Sequence, residues 1–291
     1  MRADLSCFLC CEKKALSLLE QYQVPSEKRL LLMKKIYGGF SRAEEEISAP
    51  VLMAKMMKIL EEQIKMSDAY REPKRKYNQL LMGRMEQIEK RIWSSSDPFL
   101  AGLLYALTGN YIDFGAMDTV SEEKLTELLD KCGEFSVDSG TVEHLRRDLE
   151  QAGNLVYITD NAGEIVLDRL WLRTISKLYP NLRICVLVRG APILNDATVD
   201  DARDIGLDRE FDVIPNGTQI PGTSLEHISR EARALLDQAD VCIAKGQGNF
   251  ESLHGSRRNI YYLFLCKCDF FVRKFQVEQF TPVVAHEMDF V

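Results

Sequence analysis

The sequence predicts an α/β protein, a Rossmann-like three-layer α/β/α arrangement with a doubly wound, mostly parallel sheet, preceded by an all-helical region. Three observations carry this. The first 150 residues place apolar side chains at helical spacing, and after Gln151 short β-rich runs alternate with amphipathic stretches. Those runs are nearly continuous in apolar residues, which is the pattern of strands buried on both faces of a parallel sheet. The expected division is a helical domain over 1–150 and an α/β domain over 151–291.

In the helical part, Lys13 to Tyr22 and Lys28 to Tyr37 put Leu16, Leu19, Leu31, Met33, Lys34 and Ile36 on the expected buried stripe. Ser48-Ala49-Pro50 opens a third helix, with proline in the first turn, where no intrahelical N–H is needed. It runs through Met53, Met56, Met57 and Leu60, which read as adaptable core. Arg71 to Tyr77, charged and containing Pro73, is expected to be a solvated joint before a helix around Leu80 to Trp93. Asp97-Pro98-Phe99 is a cap signal. The apolar helix after it ends in Thr108-Gly109-Asn110-Tyr111-Ile112-Asp113-Phe114-Gly115.

The expected strands are Leu155–Ile158, Ile184–Val188, Phe211–Ile214 and Val241–Ala244, with Ile260 to Leu265 a further apolar run. Glu164 to Leu178, Thr198 to Ile205 and Ser224 to Gln238 are long enough to cross between parallel neighbours.

At 291 residues, with 46% hydrophobic and 28% charged residues, the chain is sized and composed for a folded core. A net charge of -7 argues against a partner in nucleic acid, which requires a basic surface. No apolar run is long enough for a membrane span, and the first residues lack the apolar core of a signal peptide. The expected compartment is the cytoplasm. Eight scattered cysteines then read as reduced thiols. Cys7, Cys10 and Cys11 form a CxxCC cluster, expected to stand apart from the sheet's carboxyl edge.

Ligands of such sheets bind beyond the carboxyl ends of the strands. Those ends carry Thr159-Asp160-Asn161-Ala162-Gly163-Glu164, then Arg189-Gly190 with Asn195-Asp196, then Lys245-Gly246-Gln247-Gly248-Asn249-Phe250-Glu251. Asp160, Asn161 and Asp196 offer two carboxylates and an amide oxygen, the donor set of hard divalent cations; a helix cap is the alternative use of Asp160 or Asn161. The Lys245 to Asn249 turn has the chemistry of a phosphate cradle. It matches neither the P-loop nor the dinucleotide fingerprint. Lys267, beyond the run ending at Leu265, falls on the same rim, where its charge can meet a phosphate. None of the four histidines, His144, His227, His254 and His286, sits in a nucleophile-elbow context.

With these motifs in order, the chain resembles the metal-dependent damage-control phosphatases, first catalogued as a domain of unknown function. The CxxC cluster looks like the prokaryotic branch. The resemblance implies that Asp160, Asn161 and Asp196 hold a divalent ion (Mn, Co, Ni or Mg). It also implies that Gln247, Gly248, Asn249 and Lys267 contact the substrate phosphate, and that Asn110 and Asp113 belong to a segment closing over the pocket; the cradle chemistry of the turn adds Lys245 as a candidate substrate-binding residue. The partner is then a small phosphorylated metabolite. The bound ion would polarise a phosphoryl oxygen and activate water, Lys267 and the glycine-loop amides would stabilise charge on the transferred group, and Glu164 orients a ligand or handles a proton. Attack on phosphorus by Asp160 itself, forming an aspartyl-phosphate, is the alternative catalytic route. The eukaryotic branch has Asp-Leu-Asn-Tyr-Arg where this chain has Gln247 to Glu251, so a sugar-phosphate preference does not carry over. Rival readings are an S-adenosylmethionine-dependent carboxyl methyltransferase, disfavoured by the absence of a GxG after the first strand, and a noncatalytic metal or redox-sensing module on the cysteines.

Overall fold

The computed structural model describes residues 1–64, 69–113 and 121–290. Among these, eight α-helices precede the first strand: α1 Leu5–Gln21, α2 Ser26–Phe40, α3 Ala49–Glu61, α4 Arg71–Met82, α5 Met85–Ser94, α6 Pro98–Gly109, α7 Glu122–Lys131 and α8 Ser139–Gln151. Strands and helices then alternate: β1 Asn154–Ile158, α9 Glu164–Leu178, β2 Arg183–Val188, α10 Val199–Asp204, β3 Asp212–Pro215, α11 Arg230–Gln238, β4 Val241–Lys245, α12 Gln247–Leu253, β5 Ile260–Leu265, α13 Asp269–Phe275 and β6 Pro282–His286.

The sheet order is β3-β2-β1-β4-β5-β6. Every pairing is parallel except β5 with β6. The expected doubly wound α/β sheet is therefore present, with its strand order reversing between β1 and β4. Alternation along the strands builds its two sides. Tyr157, Val186, Ile243 and Tyr261 join a core shared with α4 to α10, and Val156, Leu187, Ala244 and Tyr262 join one shared with α11 to α13. Helices α1 to α3 enclose a smaller core that takes in Ile193 and Leu194 from the loop after β2. The apolar packing thus runs across residue 150, from α4–α8 into the sheet.

Several local expectations are corrected. Arg71 to Tyr77 is not a joint but the body of α4. Pro73 sits in its first turn, where it removes no helical bond, and Lys74, Tyr77, Asn78 and Leu81 turn inward at three- and four-residue spacing. Lys74 Nζ meets Asp201 at 2.6 Å, so part of the charge that suggested solvent is a buried ion pair. On α1 and α2 the expected stripe holds at Leu19, Met33 and Ile36, which are buried, but Leu16 is 41% and Leu31 61% exposed and Lys34 faces solvent, with Leu18 and Leu32 buried instead. Helix α11 occupies only the second half of its expected range, starting where Ser229 caps it. Strand β6 was not expected. It is a short edge strand opening with proline, where no ladder N–H is required. Phe114 and Gly115, the expected end of the segment after α6, lie outside the described residues.

Candidate active site

The parallel strands end on one edge of the sheet, and the loops beyond β1 and β2 are joined there by backbone hydrogen bonds. Ala162 N donates to Asn195 O at 2.8 Å, Ala197 N to Asp160 O at 2.7 Å, and Asn161 forms an isolated bridge with Asp196. These bonds bring Asp160, Asn161 and Asp196 together from two separate loops. The third side is β4, whose next residue, Gly246, has φ of +79° and lies directly against Asp160. A Cβ on Gly246 would stand 1.9 Å from Asp160 Oδ2. Glycine is required there twice, for its backbone conformation and to seat the carboxylate. Gly246→Ala is accordingly expected to displace Asp160 and lower turnover about 10²-fold, the scale of an ångström-sized misplacement at a reacting centre. Steady-state kinetics and a melting curve check this, and wild-type turnover in the variant would contradict it.

Asn110, at the end of α6, is wholly buried. Its Nδ2 donates to Asp160 Oδ2 at 3.0 Å and to Glu164 Oε2 at 2.9 Å, while its Oδ1 accepts from Leu265 N at 3.0 Å. Asn161 Nδ2 likewise donates to Asp160 Oδ2 at 2.7 Å and Glu164 Oε2 at 3.1 Å. Glu164 opens α9, and Asn78 of α4 accepts from the preceding Gly163 N at 2.6 Å, so α4 fixes the turn that aims these groups. Burial pushes the Asp160 carboxyl well above the usual carboxylate range, and the neighbouring Glu164 and Asp196 charges push it further. Burial raises Asp196 too, against the pull of Arg189.

Lys245 does not face a phosphate site. It is in phase with Val241 and Ile243, so its side chain enters the layer of α6 and α9. There Nζ reaches Glu164 Oε1 at 2.7 Å, Asp168 Oδ1 at 2.6 Å and Ala106 O at 2.9 Å. Burial works against the ammonium, but the Asp168 and Glu164 carboxylates outweigh it and raise its pKa. Tyr157 completes the cluster by donating to Asp168 at 2.6 Å.

Asn249 is also turned inward: Nδ2 donates to Thr159 O at 3.0 Å and Lys245 O at 2.7 Å, and Oδ1 accepts from Thr223 Oγ1. The expected direct phosphate contacts of Lys245 and of the Asn249 side chain are therefore replaced by roles in holding the loop. Asn110, expected in a closing segment, forms part of the buried network around Asp160. Lys267 and Asp113 do meet, Nζ to Oδ2 at 2.7 Å, and Gln247 Oε1 accepts from Lys267 N at 3.0 Å. Gln247 and Gly248 remain partly exposed on the rim.

Sequence reasoning missed three participants. Arg189 donates to Asp196 Oδ2 at 2.6 Å from a wholly buried guanidinium, Asp168 anchors Lys245, and Thr223 braces Asn249. Only Arg189 carried a signal, standing directly after β2. The cysteines were also misplaced. Asp4, which caps α1, lies 3.8 Å from Arg273 of α13. Burial raises the Cys7 thiol to about 12, and its neighbours include Glu251 and Cys268. Cys10 is likewise raised by burial and by Cys268. Cys268 Sγ accepts from Gln247 Nε2 at 3.5 Å, so the thiol cluster adjoins the rim of the site.

Among the described residues, no three His, Cys, Asp or Glu side chains converge as a complete metal site. What converges is two carboxylates and one amide whose Nδ2 is engaged with Asp160 and Glu164. This oxygen set fits a hard divalent cation that takes its remaining ligands from water or substrate. A cation there would also relieve the carboxylate repulsion that raises Asp160.

The family description that matches residues 3–283 is the damage-control phosphatase ARMT1-like domain. An uncharacterised protein of Methanocaldococcus jannaschii is 32% identical over 274 residues, covering 90% of this chain and 88% of that one. A damage-control phosphatase of Archaeoglobus fulgidus is 30% identical over 233 residues, covering 78% and 80%. A crystal structure of a DUF89 family protein from Pyrococcus horikoshii superposes with a TM-score of 0.82 at 28% identity, covering 99% of both chains.

Proposed function

Because the chain belongs to the damage-control phosphatase ARMT1-like family, we propose that it hydrolyses a small phosphorylated metabolite in a metal-dependent reaction. In this reading Asp160, Asn161 and Asp196 are the metal ligands. The observation that supports it most is the meeting of these three oxygen donors over Gly246, where the strand order reverses. A divalent ion bound there would supply Lewis-acid polarisation of the phosphoryl group and a more acidic attacking water.

The chain's own residues do the positioning. Glu164 accepts from the side-chain amide of Asn161, and in this reading the amide oxygen is the ligand. Lys245 and Asn110 hold Glu164 in turn, with the lysine balancing its charge. Lys267 is the cation for the substrate phosphate. Its backbone is fixed by Gln247, and its Nζ is kept near the rim by Asp113. Donors fixed in this way need little reorganisation as charge moves onto the leaving oxygen.

Lys267→Ala separates the two components. Substrate binding and turnover are expected to fall, turnover on the order of 10²-fold. Metal affinity should be unchanged or slightly higher, since removing a nearby cation cannot weaken the attraction of another cation to carboxylates. Metal titration without substrate, followed by kinetics at saturating metal, reads both. Unchanged kinetics would remove Lys267 from the site.

A further inference from the structure

An anionic phosphoryl group approaching Asp160, Asp196 and Glu164 meets three carboxylates, and Lys267 is already engaged with Asp113. The structure holds a second cation at the same place. Arg189 has a side chain 0% exposed. Its backbone N donates to Ala197 O at 2.9 Å, and the next residue, Gly190, is tied to Asn216 Oδ1 and Thr218 O. Nε donates to Asp196 Oδ2 at 2.6 Å and Nη1 to Thr223 Oγ1 at 3.4 Å.

Nη2 is different: it is buried and makes no hydrogen bond among the described residues. The nearby acceptor, Asp160 Oδ1, is 3.8 Å away, beyond hydrogen-bond length. Asp160 is not free to close that gap, because its other oxygen is held by Asn110 and Asn161 and is seated against Gly246. A buried, charged donor without an acceptor is penalised, and here it lies between the two carboxylates that would face the reacting group. A guanidinium fork suits phosphoryl oxygens better than a point charge does.

We propose that Arg189 is a phosphoryl-binding residue whose Nη2 donates to an oxygen of the substrate's phosphate. The proposal rests on the phosphatase reading above and deepens it: recognition of the phosphate uses a buried arginine from the β2 loop in addition to Lys267.

The test is inhibition by inorganic phosphate, the reaction product, in wild type, Arg189→Lys and Arg189→Gln, with divalent-metal affinity titrated separately without phosphate. The inhibition constant should rise about tenfold or more in Arg189→Lys, where the fork is lost but the charge stays, and further in Arg189→Gln. Metal affinity should hold or tighten. If Arg189→Gln does not fold, Arg189→Lys carries the measurement, because it retains the charge opposite Asp196. Weaker metal binding with an unchanged phosphate constant would overturn the proposal, since it would mean that Arg189 acts only by holding Asp196. Equal inhibition of wild type and Arg189→Lys would also overturn it and leave the phosphatase reading standing. A wild-type protein that neither binds phosphate nor releases it from esters would remove both.

Discussion

Asp160→Asn is expected to lower metal-stimulated phosphate release by at least 10²–10³-fold, roughly the loss from deleting one group that stabilises charge at a reacting centre, while leaving the metal-free protein as stable as wild type or more so. Both halves follow from one observation. Asp160 is buried beside Glu164 and Asp196, and its carboxyl is pushed up by burial and by their charges. The neutral amide keeps the size of the side chain and removes the repulsion, so stability should not fall. It also removes a carboxylate from the cation site. Residues that destabilise the fold to serve a site show this opposition of activity and stability. Full activity at saturating metal would show that the ligand assignment is wrong, and a large drop in melting temperature would show that Asp160 has a structural role instead.

Lys245→Met should have the opposite signature, with stability suffering first. Among the described residues its ammonium is the sole lysine or arginine charge paired with Glu164 and with Asp168, all three side chains being 0% exposed. Removing one partner of a buried ion pair leaves uncompensated charge in the interior and costs about 3–5 kcal/mol. For a chain of this size that corresponds to a fall in melting temperature on the order of 10 °C. Turnover should fall as well, because Glu164 loses the contact that orients it towards Asn161. A variant that melts like wild type and shows only weaker substrate binding would return Lys245 to a direct phosphate role.

The contrast between these two residues shows what was legible in the sequence. Asp160, Asn161 and Asp196 could be brought together from sequence because they lie in the loops that follow predicted strands, and in a parallel sheet those loops share one edge. Lys245 also ends a strand, but it belongs to the strand itself. Its direction follows from parity with Val241 and Ile243, so the period of two already pointed it into the layer of α6 and α9. The contacts of Asn110 with Asp160, and of Lys74 with Asp201, span 50 and 127 positions of sequence and arise only when helices pack on the sheet. Composition misled at α4, where lysine and asparagine occupy the inward face because each meets a buried polar partner. Strand β6 escaped detection because proline opens it and only Val283, Val284 and Ala285 follow before His286.

Phosphate release from a panel of phosphomonoesters tests the proposed activity most directly, using protein stripped with a chelator and then returned to Mg, Mn, Co and Ni in turn. The stripped protein should be inactive, and at least one ester should be hydrolysed when at least one of these ions is restored. Hydrolysis that continues undiminished in the stripped protein, or no release from any ester with any of the four ions, would contradict a metal-dependent phosphatase built on Asp160, Asn161 and Asp196.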